Sequence, residues 1–152
     1  MAEDLQRDLI GYGPRPPDPK WPGKARIALN FIVNYEEGAE YSLLNGDDRP
    51  ETILSEVGVA PPVLGKRDLN MESMYDFGAR AGVWRVLRAF KECQVTPTVY
   101  AVGLALERNP AVAEAAMAAG SDLVAHGWRW IDYALVAEQE EREHIGRCVE
   151  LI

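Results

Sequence analysis

Histidine and cysteine are scarce in this chain, with two of each among 152 residues. A zinc site needs three or four nitrogen, oxygen or sulfur ligands at about 2.0–2.3 Å. The residue four positions after His126 is Trp130, which cannot ligate, and His144 sits in the charged run Glu140-Glu141-Arg142-Glu143-His144 and reads as solvent-facing. No metal and no other cofactor is expected at His126. Cys93 and Cys148 fall in or beside expected helices without framework spacing, which excludes a disulfide scaffold and reads as reduced, structural thiols. Positive charge is short as well: 16 Lys and Arg against 24 Asp and Glu leave a net charge of −8. The basic residues form no stripe, so a nucleic-acid partner is not expected. No apolar run approaches the ~18 residues needed to cross a bilayer, so no membrane partner is expected. The acidic opening Met1-Ala2-Glu3-Asp4-Leu5 does not read as a secretory signal, and a cytoplasmic location is expected.

What is present is the composition of an ordinary soluble domain, 47% hydrophobic and 26% charged, long enough for one core. Residues 1–24 read as an extended N-terminal arm, because Gly11 to Gly23 is too rich in Pro and Gly for regular structure. Tyr12 and Trp21 are its expected anchors. Residues 25–152 read as a partial (β/α) domain. Ile27 to Val33 is nearly continuously apolar, broken only by Asn30, and predicts a strand buried on both faces. Residues 39–70 carry the turn signals Asn45-Gly46-Asp47-Asp48, Pro50 and Pro61-Pro62, and predict a long functional loop or interface arm. Val83, Val86, Leu87 and Phe90 recur at helical spacing and predict a helix from about Ala79 to Glu92. A second strand is predicted over Thr96 to Gly103. Asn109 as N-cap and Pro110 at the first helical position predict the next helix, which Gly120 ends. Leu123 to Ala125 read as the third strand. The last helix is predicted from about Ala134, with Ile145, Cys148, Val149 and Ile152 on one face.

Strands alternating with helices predict parallel βαβ units. Three such units cannot close a barrel of about eight strands, and the last apolar face runs to the final residue. The expected architecture is α/β, the N-terminal half of a larger barrel truncated at its C-terminus.

Chemistry is placed at the C-terminal tips of strands in such folds. Asn34-Tyr35-Glu36-Glu37-Gly38 directly follows the first expected strand. Paired carboxylates there can act as general base and stabiliser, or form a solvated turn, and neighbours on an extended chain point oppositely, so only one need face the site. His126 opens the tip of the third strand, as an acid/base group or as a satisfied strand-end histidine. Trp128 and Trp130 either cap the core or, with Arg129 between them, wall an aromatic pocket with a planar donor fork. That pocket suits a small, planar, amide-rich substrate.

A strand ending in two acidic residues and glycine (Glu36-Glu37-Gly38), a Thr96-Pro97-Thr98 strand and the run Gly120-Ser121-Asp122-Leu123-Val124-Ala125-His126 resemble the polysaccharide deacetylase (NodB-homology) family. In that family the acidic pair is Asp-Asp, one aspartate acting as base and one binding metal, and a His-x-x-x-His element completes the ligands. Here Glu36 and Glu37 replace the pair, His126 keeps the first histidine and Trp130 takes the place of the second. Asp8-Leu9-Ile10-Gly11-Tyr12-Gly13, Asn34 to Gly38 and His126 to Trp130 look more like the family's metal-independent allantoinase branch. That resemblance implies a distorted TIM-like barrel and hydrolysis of the allantoin ring to allantoate. On residue chemistry, Glu36 or Glu37 is expected as base or proton carrier and His126 as its partner. Asn34 and Arg129 are expected to orient the ring, with Trp128 and Trp130 as substrate contacts. A homo-oligomer is expected. The alternatives are a metal-dependent deacetylase and a non-catalytic fragment that keeps only a small-molecule pocket.

Overall fold

The first strand forms later and shorter than apolarity alone predicts. The computed structural model describes residues 7, 9–54, 56, 58 and 60–152. Within it β1 is Ile32–Tyr35, β2 is Thr98–Ala101 and β3 is Leu123–Ala125, all parallel in the order β1-β2-β3. Val33 lies opposite Val99, and Val99 opposite Leu123. Ile27, Leu29 and Phe31 are exposed, which corrects the expected doubly buried strand. The physical reason is pairing: a parallel ladder needs a neighbour, and β2 supplies one for residues 32–35 only. Burial also alternates along β2, with Val99 and Ala101 inside, so helices cover one face of this sheet and not both.

The helix before β2 is longer than its apolar stripe. Asp68 accepts from the N–H groups of Asn70 and Met71 and starts α1 (Leu69–Phe77), which runs through a wide π turn (Gly78–Gly82) into α2 (Val83–Glu92). Beyond β2, α3 (Gly103–Arg108) precedes α4 (Pro110–Ala118) and begins at the residue where the sequence predicts the end of the second strand. Pro110 does occupy the first turn of α4, and Gly120 takes the left-handed conformation past its end (φ +77°). Asn109 does not cap with its side chain; it donates instead to the Tyr35 hydroxyl and the Ala79 carbonyl. α5 (Glu138–Leu151) begins after a separate turn at Tyr133–Leu135 and buries only Cys148 of its expected apolar face.

The core gathers Tyr35 and Ala39 from the β1 end, Val83 from α2, Val99, Ala101 and Val102 from β2, and Ala105, Leu106, Val112 and Ala116 from α3 and α4. In the arm, residues 1–6 and 8 lie outside the described residues, so Asp8 of the resemblance motif carries no structural account. Tyr12 is exposed and is no anchor. No described helix is long and apolar enough to cross a membrane.

Candidate active site

Parallel strands share one rim, and here the loops leaving β1, β2 and β3 are bonded to one another. The Tyr35 carbonyl accepts from Val102 N–H at 2.9 Å, and the Ala101 carbonyl accepts from His126 N–H at 2.9 Å. Gly103 and Leu104, the first donors of α3, give their N–H groups to the carbonyls of Gly127 and Trp128. A helix start that has no side-chain cap of its own is thus satisfied by a loop from the third strand. A Cβ on Gly103 would sit 2.5 Å from Trp128 Cε3, so only glycine admits this closeness.

Glu36 and His126 meet on that rim. His126 Nε2 is 3.2 Å from Glu36 Oε1, and the Asn34 amide donates to the same oxygen at 3.1 Å. The His126 side chain is 37% exposed and the Glu36 side chain 13%, so a reactant can reach the imidazole. Glu37 lies in the turn after β1 and lines the same cavity as Glu36. Its Oε2 accepts from Glu36 N–H at 3.1 Å, and its Oε1 lies so close to Gly78 that a Cβ there would come within 2.5 Å. The π turn therefore opens room for a carboxylate. Burial pushes the Glu37 carboxyl above the usual carboxylate range, backbone hydrogen bonds partly offset this, and the Glu36 charge adds to it.

A cavity of about 210 Å³ lies here, lined by Asn34, Glu36, Glu37, Leu54, Met74 and Tyr75. Leu54 enters it from the long loop with φ of +56°, a backbone conformation that side chains rarely adopt outside strained or functional positions. A larger cavity of about 680 Å³ lies between α2 and α4 at the opposite end of β2, near Thr96 and Pro97. It holds no carboxylate and no histidine, so size does not mark the chemistry.

The remaining expected site residues divide. Trp130 packs on Tyr75 with ring centroids 6.2 Å apart and donates its backbone N–H to the Ala39 carbonyl. Arg129 is spent on the scaffold: its fork holds Asp47 at 2.6 Å and the carbonyls of Ala39 and Glu40. Trp128 is buried against Gly103 with the Arg147 guanidinium 3.6 Å over its ring. The loop after β1 folds back over the rim and takes up the Arg129 fork and the Trp130 backbone N–H, whereas Trp128 is held by α3 and α5. His144 is corrected too: its side chain is 12% exposed and its Nδ1 is 3.1 Å from the Tyr133 hydroxyl.

Glu40, Glu51 and Tyr75 were not expected at the site. Glu40 Oε2 accepts from Gly38 N–H at 2.6 Å, and Glu51 accepts from the N–H groups of Thr52 and Ile53. Both glutamates are buried. Their sequence neighbours resemble any polar turn, so no local signal announces them.

The donors on this rim do not fit a metal ion. Glu36 and His126 bind each other, and Glu37 is held by a backbone N–H and packed on Gly78. Among the described residues, no group of three or more His, Cys, Asp or Glu is arranged to hold one.

Parallel βα units with an acid–imidazole pair at the C-terminal rim define an α/β protein whose site lies where such folds place chemistry. The chain belongs to the polysaccharide deacetylase family, whose sequence profile matches residues 67–152. A Schizosaccharomyces pombe protein named for polysaccharide deacetylase is 43% identical over 148 residues, covering 96% of this chain and 46% of its own length. The crystal structure of PuuE allantoinase superposes with a TM-score of 0.90 at 51% identity, over 97% of this chain and 49% of that one. A Pseudomonas aeruginosa protein, again named for polysaccharide deacetylase, superposes at 0.89 with 52% identity, over 95% of this chain and 48% of that one. The chain spans about half the length of the relatives it matches.

Proposed function

We propose that this chain carries the acid–base half of a hydrolase that opens the ring of allantoin, or a closely related cyclic ureide, to the linear acid without a metal ion. The observation that carries the reading is the Glu36–His126 pair at 3.2 Å, beside a half-buried second carboxylate, Glu37, and a cavity sized for a small ring. Likeness to PuuE allantoinase supports the substrate class.

A ring amide carbonyl is a poor electrophile, so water must be activated and the developing oxyanion stabilised. Water gives a proton to the Glu36–His126 pair as its oxygen bonds to the ring carbonyl carbon. The pair returns that proton to the ring nitrogen as the C–N bond breaks, and the resulting carboxylic acid releases its remaining proton to solvent and leaves as a carboxylate. Asn34 holds Glu36 in register for this exchange. Burial, as its largest cause, raises the Glu37 carboxyl above its ordinary range. The substrate is the expected small-molecule partner, and a cytoplasmic homo-oligomer is the setting proposed for the protein that carries this chain.

A metal-dependent deacetylase of acetylated sugars is the second reading, favoured by the names of two of the matched relatives. Allantoin and acetylated glucosamine oligomers assayed side by side, on chelated and zinc-supplemented protein, separate the two. Allantoin turnover that survives chelation supports the proposal. Zinc-dependent release of acetate with no allantoin turnover overturns it.

A further inference from the structure

We propose that Tyr75 is a further catalytic residue, a neutral hydrogen-bond donor that holds the carbonyl oxygen of the substrate as negative charge develops on it. The inference rests on the ring-opening reading above. Tyr75 stands on α1, and its side chain lines the same 210 Å³ cavity as Asn34, Glu36 and Glu37. Its ring is fixed against Trp130, so the phenol is positioned from both the helix and the third-strand loop. Among the described residues nothing hydrogen-bonds the Tyr75 hydroxyl, whereas the hydroxyls of Tyr35, Tyr41 and Tyr133 all have partners. A half-buried phenol without a partner is a donor awaiting an acceptor.

Its surroundings determine what it can do. Burial raises the phenol above its ordinary range, and the charges of Glu51, Glu40, Glu36 and Glu37 raise it further. A phenol raised in this way keeps its proton at neutral pH. It therefore cannot serve as a base, and it can donate without losing its proton. That matters because the acidic pocket otherwise opposes negative charge on the substrate. Arg129, the nearby cation expected to help, is committed to Asp47. Water remains the nucleophile and the Glu36–His126 pair still carries the proton, so the phenol changes no proton balance.

The test uses Tyr75→Phe in the protein that carries this chain. The ring and its packing on Trp130 are kept and only the donor is lost. The expected result is a fall in kcat on allantoin of about 10²-fold, the scale of a lost oxyanion donor, with KM within about threefold and an unchanged melting curve. Wild-type turnover with a near-normal Tyr75→Phe variant overturns the Tyr75 proposal and leaves the ring-opening reading standing. A wild type that does not hydrolyse allantoin overturns that reading, and the role of Tyr75 falls with it. Should Tyr75→Phe fail to fold, 3-fluorotyrosine at the position keeps the shape and makes a stronger donor. A raised kcat at constant KM then supports the proposal, and an unchanged kcat overturns it.

Discussion

His126 and His144 each bring a ring nitrogen to an oxygen, His126 Nε2 to Glu36 at 3.2 Å and His144 Nδ1 to Tyr133 at 3.1 Å. The contacts are alike in length and differ in what the partner can do with a proton. Glu36 is a carboxylate on an accessible rim, and a carboxylate and an imidazole can share and pass a proton. The Tyr133 hydroxyl already accepts the N–H groups of Trp128 at 3.0 Å and Arg129 at 3.2 Å, so its own hydrogen goes to His144 Nδ1. That chain works only with a neutral imidazole. Burial holds His144 below its ordinary range, Arg147 and Arg129 hold it lower, and Glu140 and Glu143 partly oppose them. In the mechanism proposed above one histidine moves a proton, whereas the surroundings of the other oppose taking one up. Both act on the same loop, which leaves β3 through Gly127.

The sharpest break in this comparison is His126→Ala, which is expected to cut allantoin turnover by about 10²-fold or more with the fold intact. Near-normal kcat in that variant would make the two histidines equivalent and end the mechanism. Glu36→Gln and Glu37→Gln come next. At least one should lose about 10²-fold in kcat, the scale of a missing acid or base, and added zinc should rescue neither. Gly78→Ala should act through Glu37, because the new Cβ would displace its carboxylate. A loss of about tenfold in kcat, with less than about 2 kcal/mol lost in denaturant melts, is expected from overpacking of this kind.

At the other corner, Tyr133→Phe strands two backbone donors that the hydroxyl satisfies. It should cost about 1–3 kcal/mol in stability, read from urea midpoints, and lower kcat less than His126→Ala does. The smallest effect is on pH dependence. His144 binds a proton less readily in the fold than in the unfolded chain, so stability is full above its unfolded value of about 6.5 and declines as pH falls below it. His144→Asn should flatten that decline. A wild-type melting temperature independent of pH between about 7 and 5 would contradict the neutral-imidazole assignment.

Local signals were legible in the sequence wherever the cause was local. Pro110 and Gly120 bracket α4, and the three residues Leu123 to Ala125 form β3 where their apolarity and their bounding turn predicted it. Causes that lie across the fold were not legible. Ile27 to Phe31 have strand-like side chains and no strand beside them, which composition cannot reveal. The start of α3 is capped by carbonyls from residues 127 and 128, so its own residues carry no cap signal. His144 was judged by its charged neighbours, although Tyr133 from the preceding turn determines its environment. The site shows the same division. Asn34 lies in β1, and Glu36, Glu37 and His126 directly follow β1 and β3, so their places at the rim are legible from the strand pattern. Tyr75 reaches the same cavity from α1, and no local signal announces it.

The capping of α3 also orders events in time. Gly103 and Leu104 emerge from the ribosome before the carbonyls of Gly127 and Trp128 that accept from them. Until that stretch is made, the donors at the start of this six-residue helix can turn only to water, and so short a helix is not stable by itself. Completion of the helix and placement of His126 thus occur together, once residues 127 and 128 have been made. The loop that carries the imidazole also braces the start of α3, and a chain that has not yet presented its histidine has not completed that helix.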